Sequence, residues 1–182
     1  MSIKETLKEY FNTYVEWYKK EYDSLPKTRY FEKFNINESI YILDTLDENG
    51  NICWLPKLQS NKINFEQLEK ELGFSIHESI KELFSTYWFD IIEGEYEIGE
   101  IWINGVWPGL DVLWRIKDGF KKGKNHFVKN KIFYCLGLAD SYTIMLNNDT
   151  GEITAVIFYE EESIHLADSL EELINYFIDE MR

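Results

Sequence analysis

The sequence predicts an α+β fold: a mixed, largely antiparallel sheet flanked by N- and C-terminal helices. Three observations predict it. Both ends of the chain carry apolar residues at helical spacing. The β-prone segments between them come as hairpins around tight turns rather than as βαβ units, which points away from a parallel sheet. Hydrophobic residues make up 45% and aromatic residues 16% of the 182 positions. That is enough to bury one core without disulfide staples, so residues 1–182 are expected to form a single domain.

The first element is a helix over residues 3–22. Ile3, Leu7, Tyr10, Phe11, Tyr14, Trp17 and Tyr18 fall on one stripe at i, i+3, i+4, i+7 spacing. Ser2 and Glu5 have the spacing of a capping box, and Pro26 follows the helix end. A hairpin comes next, Ser39 to Leu46 returning as Asn51 to Leu55 around Asp47-Glu48-Asn49-Gly50, with Pro56 closing it. Asn64 caps a short helix that Gly73 ends. A second helix follows, with Ser75 as cap, Glu78 completing its box, and Ile80, Leu83, Phe84, Tyr87 and Trp88 as its apolar face. Ile98 to Val106 reads as a strand. Pro108-Gly109 then opens a helix through Leu110, Leu113, Ile116 and Phe120. Lys131 to Leu138 is a strand, and Ser141 to Asn147 with Glu152 to Tyr159 is a second hairpin around Asn148-Asp149-Thr150-Gly151. The last helix buries Leu170, Leu173, Ile174, Phe177, Ile178 and Met181, capped by Asp168 or Ser169.

Charge narrows the partners. The net charge is −14, which repels nucleic acid and anionic surfaces at long range and favours a basic partner. The distribution is uneven. Arg115, Lys117, Lys121, Lys122, Lys124, Lys129 and Lys131 stand against one acid, Asp118, so the rest of the chain carries −20. The basic stretch interleaves with Phe120, His126 and Phe127, yet a helix end followed by a solvated loop explains it without nucleic acid. No apolar run is long enough to span a bilayer and the N-terminus does not read as a signal peptide. A cytoplasmic location follows, with peripheral association at the inner face of the membrane as an option. Cys53 and Cys135 read as reduced thiols in strands, a disulfide being the alternative.

Catalytic and cofactor motifs are poor. His77, His126 and His165 lie in separate segments, and in His77-Glu78-Ser79-Ile80-Lys81 a lysine stands where a zinc-protease helix needs its second histidine. Gly137-Leu138-Ala139-Asp140-Ser141 is not a nucleophile elbow. Gly119-Phe120-Lys121-Lys122-Gly123-Lys124-Asn125 is not a P-loop, since a helix and not a strand precedes it. The chain therefore reads as a non-enzymatic binding module with no metal and no cofactor. A carboxylate hydrolase is the rival from another class, because Glu93, Glu95, Glu97, Glu100 and Asp111 could supply an acid–base pair. The four glutamates alternate with Gly94, Tyr96, Ile98 and Gly99 as an acidic strand or loop edge would, and plain solvation of that edge is the third reading. The expected partner-binding surface is Glu93, Glu95, Glu97, Glu100 and Asp111 framed by Trp88, Trp102 and Trp107. Acids steer a cationic partner, and aromatics supply contact energy.

The ordered set of aromatic first helix, Pro26, Trp54 and Pro56, the paired helices at 65–73 and 76–88, and Gly99-Glu100-Ile101 with Trp107 resembles the Syd family within the SUKH superfamily. The Gly151-Glu152-Ile153 turn and the ending His165-Leu166-Ala167-Asp168-Ser169-Leu170-Glu171-Glu172-Leu173 complete the resemblance. The resemblance implies an α+β fold without enzyme activity or cofactor. It implies one of two basic protein partners: a toxin domain, neutralised by an immunity protein as in many superfamily members, or the cytoplasmic loops of the SecY translocon. Immunity is the favoured expectation, being the commoner use of the superfamily. Either role needs an acidic groove, so the basic stretch is expected on another face.

Overall fold

The computed structural model describes residues 2–34, 39–42, 46–60, 62–124, 131–157 and 163–182. Helix α1 spans Ile3–Tyr22 and buries Ile3, Leu7, Tyr10, Phe11 and Tyr14. Its capping box is formed: the Glu5 amide donates to the Ser2 hydroxyl and the Ser2 amide to the Glu5 carboxylate at 3.1 Å. Asp23, in the left-handed region with φ 49°, ends the helix.

The expected first hairpin forms in its described part and gains a strand that the sequence did not announce. Strand β1, Lys27–Arg29, pairs antiparallel with β2, Asn51–Cys53. On the other side of β2 the described part of the 39–46 segment runs antiparallel as expected: Tyr41 bridges Trp54, the Ile42 amide donates to the Cys53 carbonyl at 2.8 Å and the Leu55 amide to the Ile40 carbonyl at 2.9 Å; residues 43–45 of the expected strand lie outside the described residues. The turn at Asp47 forms, its carboxylate accepting from the Asn49 and Asn51 amides. Strand β3 is Lys57–Leu58.

Helix α2, Glu66–Leu72, ends at Gly73, and Asn64 accepts from the Glu66 amide at 3.0 Å. Helix α3, Glu78–Thr86, takes its cap from His77 and not from Ser75: the imidazole accepts from the Ser79 amide at 3.3 Å. It is also shorter than its apolar stripe suggests. Ser85 and Thr86 donate their hydroxyls back to the carbonyls of Lys81 and Glu82, a pattern that weakens a helix. The aromatic run after them is β-prone. Tyr87 and Trp88 therefore open strand β4, Tyr87–Tyr96, and are not the end of the helix.

Strand β5, Gly99–Val106, returns antiparallel to β4 with Glu93 opposite Trp102 and Glu95 opposite Glu100. Helix α4, Val112–Gly123, is capped by Asp111, whose carboxylate accepts from the Trp114 amide at 3.0 Å. Strands β6 (Phe133–Ala139), β7 (Tyr142–Asn147), β8 (Ile153–Ile157) and β9 (Ser163–Ala167) follow. Phe158 and Tyr159, at the end of the expected second hairpin, lie outside the described residues. Strand β9 answers to no sequence expectation of a strand. Helix α5, Leu170–Glu180, is capped by Ser169, while Glu172 accepts from the Asp168 amide.

Strands β3 to β9 form one sheet in sequence order, and every pair in it is antiparallel. This is the α+β architecture with helices at both ends. One face receives α1, α3, α4 and α5. Phe11 packs on Tyr87 and Phe89, and Tyr134 of β6 meets Phe84 and Phe120. Two glycines set the approach of helix to sheet. A Cβ on Gly94 would lie 2.3 Å from the Phe177 ring, and one on Gly119 would lie 2.2 Å from Tyr134. Packing this close leaves no room for a methyl group without displacing a core aromatic.

Candidate functional site

Beyond its first two residues β4 has no β3 beside it, and α1 closes part of that edge with side chains. The Tyr10 hydroxyl accepts from the Glu93 amide at 2.8 Å and donates to the Glu93 carbonyl at 2.9 Å. One turn later the Tyr14 hydroxyl donates to the Glu93 carboxylate at 2.7 Å. Burial, together with the Glu93 charge, pushes both phenols well above the usual tyrosine range, so they stay protonated donors. The backbone and the carboxylate of Glu93 are thus fixed by two residues one helical turn apart.

Around this point lies a cleft of about 200 Å³. Its walls are Tyr14 and Trp17 from α1, Glu93, Gly94 and Glu95 from β4, Glu100 from β5, and Phe177, Glu180 and Met181 at the end of α5. Four of these nine residues are acids and none is basic. Glu95 and Glu100 are directly opposed across the β4–β5 ladder, an arrangement that destabilises a sheet. Partial burial, then the charges of Glu93 and Glu95, raise the Glu100 carboxyl above the usual glutamate range. Such a site attracts a cation, and its aromatic and thioether walls suit the aliphatic stem of a Lys or Arg side chain. The volume is below that of the pockets that enclose drug-sized ligands and is close to that of one long side chain.

The structure brings Glu93, Glu95 and Glu100 together at this cleft. Glu97 is exposed in the turn between β4 and β5. Trp102, opposite Glu93, is half-buried, and its neighbour on β6 is Leu138, which is 55% exposed. The other three expected residues lie elsewhere. Asp111 is spent on capping α4 and lines a separate depression with Gln67, Glu71 and Trp114. Trp107 is buried against Phe34 and Tyr41, with ring centroids 5.0 and 5.6 Å away, and Trp88 is buried as well. Sequence reasoning missed Tyr14, Trp17, Glu180 and Met181. They lie on the predicted terminal helices, but no local signal says that those helices meet beside β4.

The basic stretch is dispersed. Arg115 turns inward and donates to the Gly105 carbonyl at 3.0 Å, Lys117 pairs with Glu71 at 3.0 Å, and Lys122 pairs with Asp118 at 2.7 Å. His126, Phe127 and Lys129 lie outside the described residues. His77 serves as a helix cap, and Cys53 and Cys135 are free thiols, Cys135 raised in pKa chiefly by burial. Among the described residues no group of three or more His, Cys, Asp or Glu side chains is arranged to hold a metal, and no helix is long and apolar enough to cross a membrane.

Comparison with known proteins agrees with the fold. The sequence profile of the Syd protein (SUKH-2) family matches residues 4–178. Protein Syd of Pseudoalteromonas atlantica is 23% identical over 149 residues, 78% of this chain and 76% of the relative. Protein Syd of Idiomarina loihiensis is 26% identical over 147 residues, 79% and 78% of the two chains. Protein Syd of Hahella chejuensis is 27% identical over 133 residues, 70% and 68%. With an antiparallel sheet between terminal helices and a family match from the first helix to the last, this chain belongs to the Syd family.

Proposed function

We propose that the chain is a non-catalytic binding module that receives a basic segment of the SecY translocon in the cleft between α1, α5 and the β4–β5 hairpin. The observation that carries this reading is the opposed pair Glu95 and Glu100, joined by Glu93 and Glu180 with no basic residue in the lining. Like charges held together cost stability, and a cationic guest offsets that cost. The resemblance to Syd implies the basic cytoplasmic loops of SecY as the guest. The toxin-neutralising role expected from the wider superfamily draws no support from the three relatives described above, all of which carry the Syd name. The SecY reading is therefore preferred to it.

The test is association of the purified chain with SecY held in nanodiscs, followed by stopped flow at several salt concentrations. Glu95→Lys combined with Glu100→Lys is expected to slow association by about tenfold or more and to flatten its salt dependence. A double variant that associates as fast as the unmodified chain, with the same salt dependence, removes the cleft from the binding surface.

A further inference from the structure

Helix α4 faces the core with Val112, Ile116, Gly119, Phe120 and Gly123. Its opposite side carries Trp114, Lys121 and Lys124 at i, i+7 and i+10, a straight stripe about 15 Å long, with Lys117 between them paired to Glu71. Trp114 is 60% exposed, the most exposed large apolar side chain among the described residues. Lys121 and Lys124 are exposed and form no ion pair among the described residues. The end of α4 abuts the start of β6: a Cβ on Gly123 would lie 1.9 Å from the Phe133 carbonyl. That contact brings exposed Lys131, two residues before Phe133, to the same corner.

We infer that this outer face of α4 is a docking surface for an anionic lipid bilayer. Lysines beside a negatively charged leaflet each strengthen partition roughly fivefold. An indole at the end of the stripe suits the headgroup level, where tryptophan concentrates in membrane-contacting proteins. A planar bilayer also fits a straight helical stripe with one aromatic wedge. Single-stranded nucleic acid is held by several stacking rings along a groove, and here there is one ring. The net charge of −14 does not forbid the contact. The acidic cleft is built from α1, α5 and the β4–β5 hairpin and shares no residue with α4, and charges farther apart than about 8 Å are largely screened at physiological salt. The contact is weak and reversible by itself, as single-signal membrane attachment is. It gains strength when a membrane-embedded partner is engaged at the same time.

Co-sedimentation of the full chain with vesicles, with no protein partner present, tests this. Binding is expected to vesicles rich in phosphatidylglycerol at low salt, with release at high salt and none to phosphatidylcholine alone. Lys121→Gln combined with Lys124→Gln is expected to weaken the partition about thirtyfold. Quenching of tryptophan emission by brominated lipid is expected to fall in Trp114→Ala, whose exposed side chain can be removed without opening the core. The inference is overturned if phosphatidylglycerol vesicles are not bound, or are bound equally by the lysine variant. It is equally overturned if the stripe binds a single-stranded oligonucleotide or a second copy of the chain while vesicles stay free. Because SecY is absent from this assay, its failure and the failure of the cleft reading are separate results.

Discussion

Asp90 lies on β4 beside the Thr28 hydroxyl, and burial pushes its carboxyl up to about 6, the nearby Glu93 charge adding to the rise. The folded state therefore holds this proton more tightly than the unfolded chain, in which the group titrates near 3.8. Between those two values the folded state binds more protons, so stability falls as pH rises from about 4 through about 6. The loss from this one group is roughly 2–3 kcal/mol. Glu100, also raised, contributes in the same direction. Asp90→Asn keeps an acceptor for Thr28 and removes the ionisation. The expected outcome is a higher Tm at pH 7 than the unmodified chain, with the gap closing toward pH 4; equal gaps at both pH values would show that Asp90 does not titrate in this range. Glu95 and Glu100 pose a related choice. Glu95→Gln should stabilise the fold by about 0.2–1 kcal/mol, because it relieves a like-charge pair across the ladder, and should weaken partner binding. Chemical denaturation alongside the association assay reads both effects. At this scale the local hairpin acids are legible in sequence, since strand neighbours stay neighbours. Asp111 is close to them in sequence only, and the fold gives it a different task. Nor does a tryptophan's spacing say whether it is core, as Trp107 is, or surface, as Trp114 is.

Among the elements, those with a clear period or a clear turn are readable from the residues. Helices α1 and α5 carry long apolar stripes behind serine N-caps, and the Asp47–Gly50 and Asn148–Gly151 turns have the residues that tight turns need. The boundary between α3 and β4 is not readable in that way. Ile80, Leu83, Phe84, Tyr87 and Trp88 keep helical spacing across it, and a short apolar run is compatible with both periods. What decides it is tertiary: Tyr87 and Trp88 pair with β3, and Phe11 of α1 packs on Tyr87 and Phe89. The cleft shows the same limit. Its β4 and β5 residues are found from sequence, and its α1 and α5 residues are not, because their meeting depends on helix packing across the whole sheet.

At the scale of the molecule, the main apolar cluster draws residues from all five helices and from the seven-stranded sheet. One cooperative transition is therefore expected in calorimetry, with calorimetric and van't Hoff enthalpies equal; two resolved transitions would show separately folding units. The same continuity has a consequence for synthesis on the ribosome. Helix α1 leaves well before α5, yet they pack on each other, and both wall the cleft. Phe11 and Tyr14 can be covered earlier, by β4 and Trp54, but the side of α1 that packs on α5 stays open until α5 has been made. The order of translation becomes a gate for the proposed cleft: its walls are complete only once the turns of α5 that bear Phe177 and Glu180 have emerged.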